Sequence, residues 1–123
     1  MKALIIVDHG SKLEEANLML EEVATLVKKF SPNDLIVDFA HMELAEPSIQ
    51  DAIDKCVKNG ATEILIHPYM LSPGRHATKD IPEMSYHAAA KHNGLKISVT
   101  APLGLSEKIA EVVLERAGIK ATI

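Results

Sequence analysis

Residues 64–82, with the sequence ILIHPYMLSPGRHATKDIP, join a short apolar run to a segment rich in conformational restraint. The run at 64–67 has the length and composition of a buried β-strand. Pro68, Pro73 and Pro82 then restrict the backbone that follows, and Gly74 lies among them. Restraint of this kind directly after a core strand holds side chains in fixed positions. The sequence therefore predicts a site at the end of this strand, where His76 is the most conspicuous side chain.

An apolar strand followed by an amphipathic helix occurs four times along the chain. Predicted strands cover residues 3–7, 35–40, 63–67 and 96–100, and predicted helices cover about 12–30, 47–58, 79–91 and 107–117. We expect Ser11 and Glu14 to form a capping box and Pro47 to lie in the first turn of the second helix. Strands that alternate with helices form parallel sheets through right-handed crossovers. We predict a single α/β domain over residues 1–123, with a doubly wound four-stranded parallel sheet of order 2-1-3-4.

The composition excludes several classes of protein. With 123 residues, 47% hydrophobic and 24% charged, the chain can form an ordinary core. The formal net charge of −4, without a basic stripe, predicts no nucleic-acid partner. No apolar run approaches the ~20 residues that span a membrane, and no signal peptide is evident, so we expect a cytoplasmic protein. The single cysteine, Cys56, lies in a helical pattern and is expected to be a small buried hydrophobe.

Four of the six histidines fall at one edge of the predicted sheet. His9, His41 and His67 end the first three strands, and His76 lies in the loop beyond the third. Ligands of open α/β sheets bind outside the carboxyl ends of the strands, where the strand order reverses. In the order 2-1-3-4 this crevice lies between strands one and three. His9 and the loop at 68–82 then form its two walls.

Several histidines also have an ordinary structural interpretation. His41 is expected to be a hydrogen-bonding surface residue. His67, which precedes Pro68, is expected to cap local backbone. His87 and His92 lie in or just past the third helix and are expected to be solvated.

His9 and His76 are the stronger candidates for chemistry. Each lies near a glycine at the predicted crevice, and imidazole serves both as a ligand for divalent transition metals and as an acid or base. We interpret them as paired metal ligands or acid–base residues. Glu43, after the second strand, is either a solvated carboxylate or a polar anchor for a ligand. Arg75, Lys12 and the start of the first helix suit a polyanionic ligand.

Four motifs, in this order and at this spacing, resemble those of the sirohydrochlorin chelatases. More narrowly, the chain resembles the short, single-domain form of the cobaltochelatase, over nearly its whole length. The matching segments are HGS at 9–11, ELAEPSI at 43–49, PGRH at 73–76 with DIP at 80–82, and APLG at 101–104.

The resemblance implies a class II chelatase fold and the insertion of a divalent metal into sirohydrochlorin. That metal is cobalt or nickel in the short forms, which serve cobalamin-type tetrapyrrole biosynthesis. By position, His9 would be the proton acceptor and a metal ligand, and His76 the second metal ligand. The metal ion is then a substrate, and no permanent cofactor is expected. The residues that would contact the tetrapyrrole are Glu43, Leu71, Ser72, Pro73, Gly74, Arg75 and His76.

The short form further implies a homodimer that rebuilds the two-lobed cleft of longer chelatases. Two residues depart from the family pattern. Lys12 stands where arginine is common, and Asp8 precedes His9 where a small or apolar residue is commoner. Asp8 is expected either to hydrogen-bond locally or to raise the basicity of His9.

Three alternative functions remain open at the level of the sequence. The first is a sirohydrochlorin ferrochelatase of siroheme synthesis. The second is a non-catalytic carrier of metal or tetrapyrrole. The third, phosphoryl transfer through His9, is disfavoured because histidine phosphatases need an arginine where this chain has Asp8.

Overall fold

Four parallel strands form one sheet at the centre of the molecule, which the computed structural model describes for residues 1–122. Their order is β2-β1-β3-β4, so the predicted fold class and strand order are confirmed. The strands are β1 (Lys2–Asp8), β2 (Ile36–His41), β3 (Glu63–Pro68) and β4 (Lys96–Val99). The helices are α1 (Glu14–Phe30), α2 (Ile49–Lys58), α3 (Ile81–Ala89) and α4 (Glu107–Ala117).

The core lies on both faces of the sheet because side chains alternate between the faces along each strand. Ile5 and Ile66 are fully buried on the face that α2 and α3 cover. Ile6 packs on the opposite face against Leu20 of α1. Cys56 is buried in the first cluster, as predicted, and burial raises the pKa of its thiol to about 11.

The first helix begins differently from the prediction. Leu13 is the N-cap of α1, and no side chain among residues 1–122 caps that helix end. Ser11 instead accepts a hydrogen bond from the Leu13 amide at 3.0 Å. The Asn17 side chain holds the backbone of Ser11, with one hydrogen bond of 3.0 Å and another of 2.8 Å. The predicted capping box with Glu14 is therefore wrong, because Ser11 is drawn into a turn ahead of the helix.

The second helix carries the capping box that was expected in the first. Ser48 Oγ accepts from the Asp51 amide and Asp51 Oδ2 accepts from the Ser48 amide, both at 3.1 Å. Pro47 lies before this cap, so its predicted place in the first turn is wrong. Its carbonyl accepts from the His41 amide at 2.9 Å, which ties Pro47 to the end of β2.

The segment around His76 is helical where a loop was predicted. Residues His76–Asp80 form a π-helical turn that runs directly into α3, with the Ile81 amide bonded to the His76 carbonyl. Pro82 has no N–H, and its ring would clash with a carbonyl four residues earlier in a regular α-helix. A wider turn before Pro82 relieves that conflict. The predicted helix start near residue 79 is thus too late.

Ser85 in α3 is a buried hydroxyl whose replacement by alanine is expected to stabilise the protein. Its side chain is 0% exposed, and its oxygen has no hydrogen-bond partner among the described residues. Ser85→Ala removes a desolvated polar group, so the free energy of unfolding should rise by about 1–2 kcal/mol in urea titrations. Ser48→Ala, which removes a satisfied cap, should lower it by about 1 kcal/mol. A loss of stability in Ser85→Ala would contradict this interpretation.

Candidate metal and substrate site

His9 and His76 lie against each other at the carboxyl edge of the sheet. Their ring centroids are 4.5 Å apart and the rings are nearly perpendicular, at 81°. His9 follows β1, and His76 opens the π-helical turn after β3, the neighbour of β1 in the sheet. Both side chains are about half exposed, at 44% and 47%. The structure thus brings together the two histidines that the sequence singled out, where a ligand can reach them.

A carboxylate fixes the ring of His76. Its Nδ1 lies 2.9 Å from Asp80 Oδ2, one helical turn further on. A carboxylate can only accept here, so in the neutral ring Nδ1 carries the proton and Nε2 keeps its lone pair. This is the arrangement that orients metal-binding histidines. Asp80 Oδ1 also lies 3.8 Å from Arg75 Nε, so Asp80 contacts both ends of this segment.

Glu43 is the carboxylate next to His9. Its Oε1 lies 3.4 Å from His9 Nε2, and its side chain is about half exposed. Two backbone hydrogen bonds carry the pairing of β1 and β2 beyond the strands. The Met42 amide donates to the Asp8 carbonyl at 2.9 Å, and the Glu43 amide donates to the His9 carbonyl at 3.1 Å.

Gly10 allows this close approach, a role that its place in the HGS motif does not reveal. Its φ is +92°, a conformation that L side chains rarely adopt. A Cβ at Gly10 would lie 1.8 Å from the Glu43 carbonyl oxygen and 3.3 Å from the His41 Cβ. Only glycine lets the turn after β1 pack against residues 41–43.

Residues 71–75, which form an exposed rim before His76, are supported on one side by another loop. Leu71 is 69% exposed and the Arg75 side chain 74%. The Gly104 amide donates to the Leu71 carbonyl at 2.8 Å, so the loop after β4 supports this rim. All seven residues of the predicted tetrapyrrole contact are exposed: Glu43, Leu71, Ser72, Pro73, Gly74, Arg75 and His76. Beside them lies a cavity of about 260 Å³, lined by Met42, Glu43, His76, Asp80, Glu83 and Met84.

His41 does not lie at the surface, so that prediction is wrong. It is 1% exposed, and its Nδ1 lies 2.6 Å from Asp8 Oδ1. The reason is that β1 and β2 pair in register up to these two residues, which places Asp8 beside the buried ring. Of the two roles expected for Asp8, the structure shows the local hydrogen bond, and its partner is His41.

His67 and His92 also have specific partners away from the candidate site. His67 Nδ1 bonds Thr100 Oγ1 at 2.8 Å, and burial lowers the pKa of His67, an effect that a hydrogen bond to the Ala101 backbone partly offsets. His92 Nε2 lies 2.6 Å from Asp54 Oδ1, and this hydrogen bond lowers the pKa of Asp54. His92 is thus partly exposed, at 23%, and pairs with an exposed carboxylate.

The site offers two imidazoles as ligands for a metal ion. Across residues 1–122, no three His, Cys, Asp or Glu side chains are arranged to hold one metal together. Two imidazoles leave the other coordination positions of a divalent ion to solvent or to a substrate nitrogen. Glu43 and His9 can also accept protons from a bound substrate.

In the described part of the chain, every helix is too short or too polar to cross a membrane.

Known proteins resemble the chain over most of its length. A family model described as CbiX matches residues 3–119. The chloroplastic sirohydrochlorin ferrochelatase of Arabidopsis thaliana is 47% identical over 113 residues, which cover 92% of this chain and 50% of the relative. The sirohydrochlorin cobaltochelatase of Sulfurisphaera tokodaii is 32% identical over 116 residues, which cover 94% of this chain and 91% of the relative.

A solved structure also matches nearly the whole chain. The sirohydrochlorin chelatase SirB from Bacillus subtilis subspecies spizizenii, in complex with cobalt, superposes with a TM-score of 0.87 and 30% sequence identity. The match covers 95% of this chain and 50% of SirB. The chain thus spans about half the length of the Arabidopsis and Bacillus proteins, and nearly all of the Sulfurisphaera one.

Proposed function

Because the chain belongs to the CbiX family of sirohydrochlorin chelatases, we propose that it inserts a divalent metal ion into sirohydrochlorin. The observation that carries the proposal is the contact of His9 with His76 beside Glu43, at the edge of the sheet where such folds bind ligands. The metal is a substrate in this reaction, and the side chains that handle it come from two neighbouring strands.

The geometry supports a division of roles. Insertion requires a partly desolvated metal ion and the removal of protons from the pyrrole nitrogens. His76, whose Nδ1 is held by Asp80, presents Nε2 as a metal ligand. His9 would bind the metal from the other side, and once the ion has moved to the macrocycle its lone pair can accept one pyrrole proton. Glu43, at 3.4 Å from His9, can accept the second.

The exposed rim supplies the proposed contacts with the macrocycle. Sirohydrochlorin carries many carboxylates, and the Arg75 guanidinium can bind one of them through paired hydrogen bonds. The Arg75 side chain is accessible to such a ligand because it is 74% exposed and its contact with Asp80 is a long one, 3.8 Å from Nε. Lys12, exposed in the turn before α1, adds a second positive charge near His9. We propose that residues 71–76 lie along one edge of the macrocycle.

We propose cobalt as the preferred metal, with nickel also accepted. Sites with nitrogen and oxygen ligands bind Co²⁺ and Ni²⁺ more tightly than Fe²⁺. A sirohydrochlorin ferrochelatase of siroheme synthesis is the second candidate function. It is favoured by the 47% identity to the Arabidopsis ferrochelatase.

We also propose a cytoplasmic homodimer. The match to half of the longer relatives supports it, because a second copy would supply the other lobe of the cleft. In α4, Val112 and Val113 are exposed, and no residue of this helix is buried against the described chain. An apolar helix face of this kind is available to a second copy. Light scattering on the purified protein should give the mass of a dimer.

The test is a metal-insertion assay with sirohydrochlorin, followed by the change in the absorption of the macrocycle. Co²⁺, Ni²⁺ and Fe²⁺ are compared anaerobically at matched free concentrations, each against spontaneous insertion without protein. We expect a clear rate enhancement, largest for Co²⁺. An enhancement largest for Fe²⁺ would establish the ferrochelatase instead. Tight binding of metal or macrocycle without any enhancement would contradict catalysis and identify a carrier.

A further inference from the structure

A second carboxylate–imidazole pair adjoins the proposed site without belonging to it. Asp8 immediately precedes His9, and His41 lies two residues before Glu43. Asp8 Oδ1 and His41 Nδ1 are 2.6 Å apart, the short distance of a charge-assisted hydrogen bond. His41 is 1% exposed and Asp8 22%, so the pair is largely shielded from water.

This pair links the two strand ends that carry His9 and Glu43. Asp8 and His41 are register partners in the parallel pairing of β1 with β2. Two backbone hydrogen bonds continue the link between these two segments, from the Met42 amide to the Asp8 carbonyl and from the Glu43 amide to the His9 carbonyl. The Asp8 side chain adds a third link at the point where the regular pairing ends.

His41 is held on its other sides, so it can act as a fixed anchor. Its amide donates to the Pro47 carbonyl at 2.9 Å, which ties it to the start of α2. Its ring packs against Phe39, with centroids 5.9 Å apart. Asp8 therefore transmits the fixed position of His41 to the end of β1.

We propose that Asp8 is a positioning residue, whose hydrogen bond to buried His41 keeps His9 in place against Glu43 during metal insertion. The inference rests on the proposed function. Without the Asp8 carboxylate, the His41 Nδ1 loses its partner in a dry environment, and the turn after β1 is joined to residues 41–43 by backbone bonds alone. His9 then samples positions away from Glu43 and His76.

Three substitutions at Asp8 test the proposal. Asp8→Ala removes the acceptor, Asp8→Ser leaves a side chain too short to reach His41, and Asp8→Asn keeps an oxygen at the same place. We expect Asp8→Ala and Asp8→Ser to lower kcat about 10- to 100-fold, as loss of a supporting carboxylate does, with KM for sirohydrochlorin changed less than about twofold. Asp8→Asn should restore kcat to within about threefold of the wild type.

A matched control comes from the other carboxylate–imidazole pair of the same length. Asp54 and His92 are also 2.6 Å apart, but they join α2 to the end of the α3 segment, away from His9. Asp54→Ala should leave kcat unchanged, even if the melting temperature falls. Should Asp8→Ala fail to fold, Asp8→Ser and Asp8→Asn still give the comparison.

The outcomes separate this inference from the proposed function. If the wild type does not accelerate insertion, the proposed function fails. If the wild type is active and Asp8→Ser matches it in kcat, or if Asp8→Asn is as slow as Asp8→Ser, positioning through the His41 hydrogen bond is wrong. Equal losses in melting temperature for Asp8→Ser and Asp54→Ala, with kcat unchanged in both, would leave Asp8 a purely structural role.

Discussion

Replacing His76 by alanine is expected to lower the rate of metal insertion into sirohydrochlorin by about 100-fold or more, the scale set by loss of a metal ligand or a general base. His76 contributes one of the two imidazoles of the site, and its ring is held by Asp80 for that task. His9→Ala should cause a loss of the same order, because it removes the other imidazole and the partner of Glu43. Initial rates at saturating metal measure both effects.

The matched control for these variants is His87→Ala. His87 lies on α3 and is exposed, so its replacement removes a histidine of the same helical segment without touching the pair. Its insertion rate should equal that of the wild type. Full activity in both His9→Ala and His76→Ala would show that the two histidines do not handle the metal.

Gly10→Ala is expected to abolish most activity although position 10 carries no functional group. The new Cβ would overlap the Glu43 carbonyl oxygen, at 1.8 Å, so the turn after β1 and residues 41–43 must move apart. That movement separates His9 from Glu43. We expect insertion to fall by about 100-fold, since a displacement of about 1 Å can cost that much.

Gly60→Ala is the control that places alanine in a left-handed backbone conformation without the steric overlap. Gly60 has a φ of +101°, comparable to Gly10, but its Cβ would meet no atom of residues 1–122 within 4 Å. Alanine at either position costs about 1–2 kcal/mol for the left-handed conformation. Gly60→Ala should therefore lower the free energy of unfolding and leave the insertion rate intact. Equal activity in the two variants would refute the steric role of Gly10.

The general architecture could be predicted from the sequence because its signals are local. Apolar runs such as residues 3–7 and 64–67 indicate strands that are buried on both faces of the sheet. Segments with the apolar periodicity of helices lie between them. Once the strand order is 2-1-3-4, β1 and β3 are neighbours. Residues after their ends must then meet, and so the proximity of His9 and His76 follows from topology.

The supporting interactions could not be predicted because they depend on contacts between distant segments. The burial of His41 follows from the register of β1 with β2, which places Asp8 beside it. The requirement for Gly10 arises from the path of residues 41–43, about thirty positions away. The π-helical turn at His76 could not be predicted, because Pro82 disfavours a regular α-helix through the residues before it and the sequence does not show that the chain widens this turn instead.

The central claim, that His9 and His76 jointly bind the metal that is inserted, is tested most directly by titrating the protein with Co²⁺ and recording its visible absorption bands. The account predicts that about one Co²⁺ binds per chain with nitrogen ligands. This signal should disappear in His9→Ala and in His76→Ala, and persist in His87→Ala. Unchanged affinity and unchanged bands in both single variants would contradict the account.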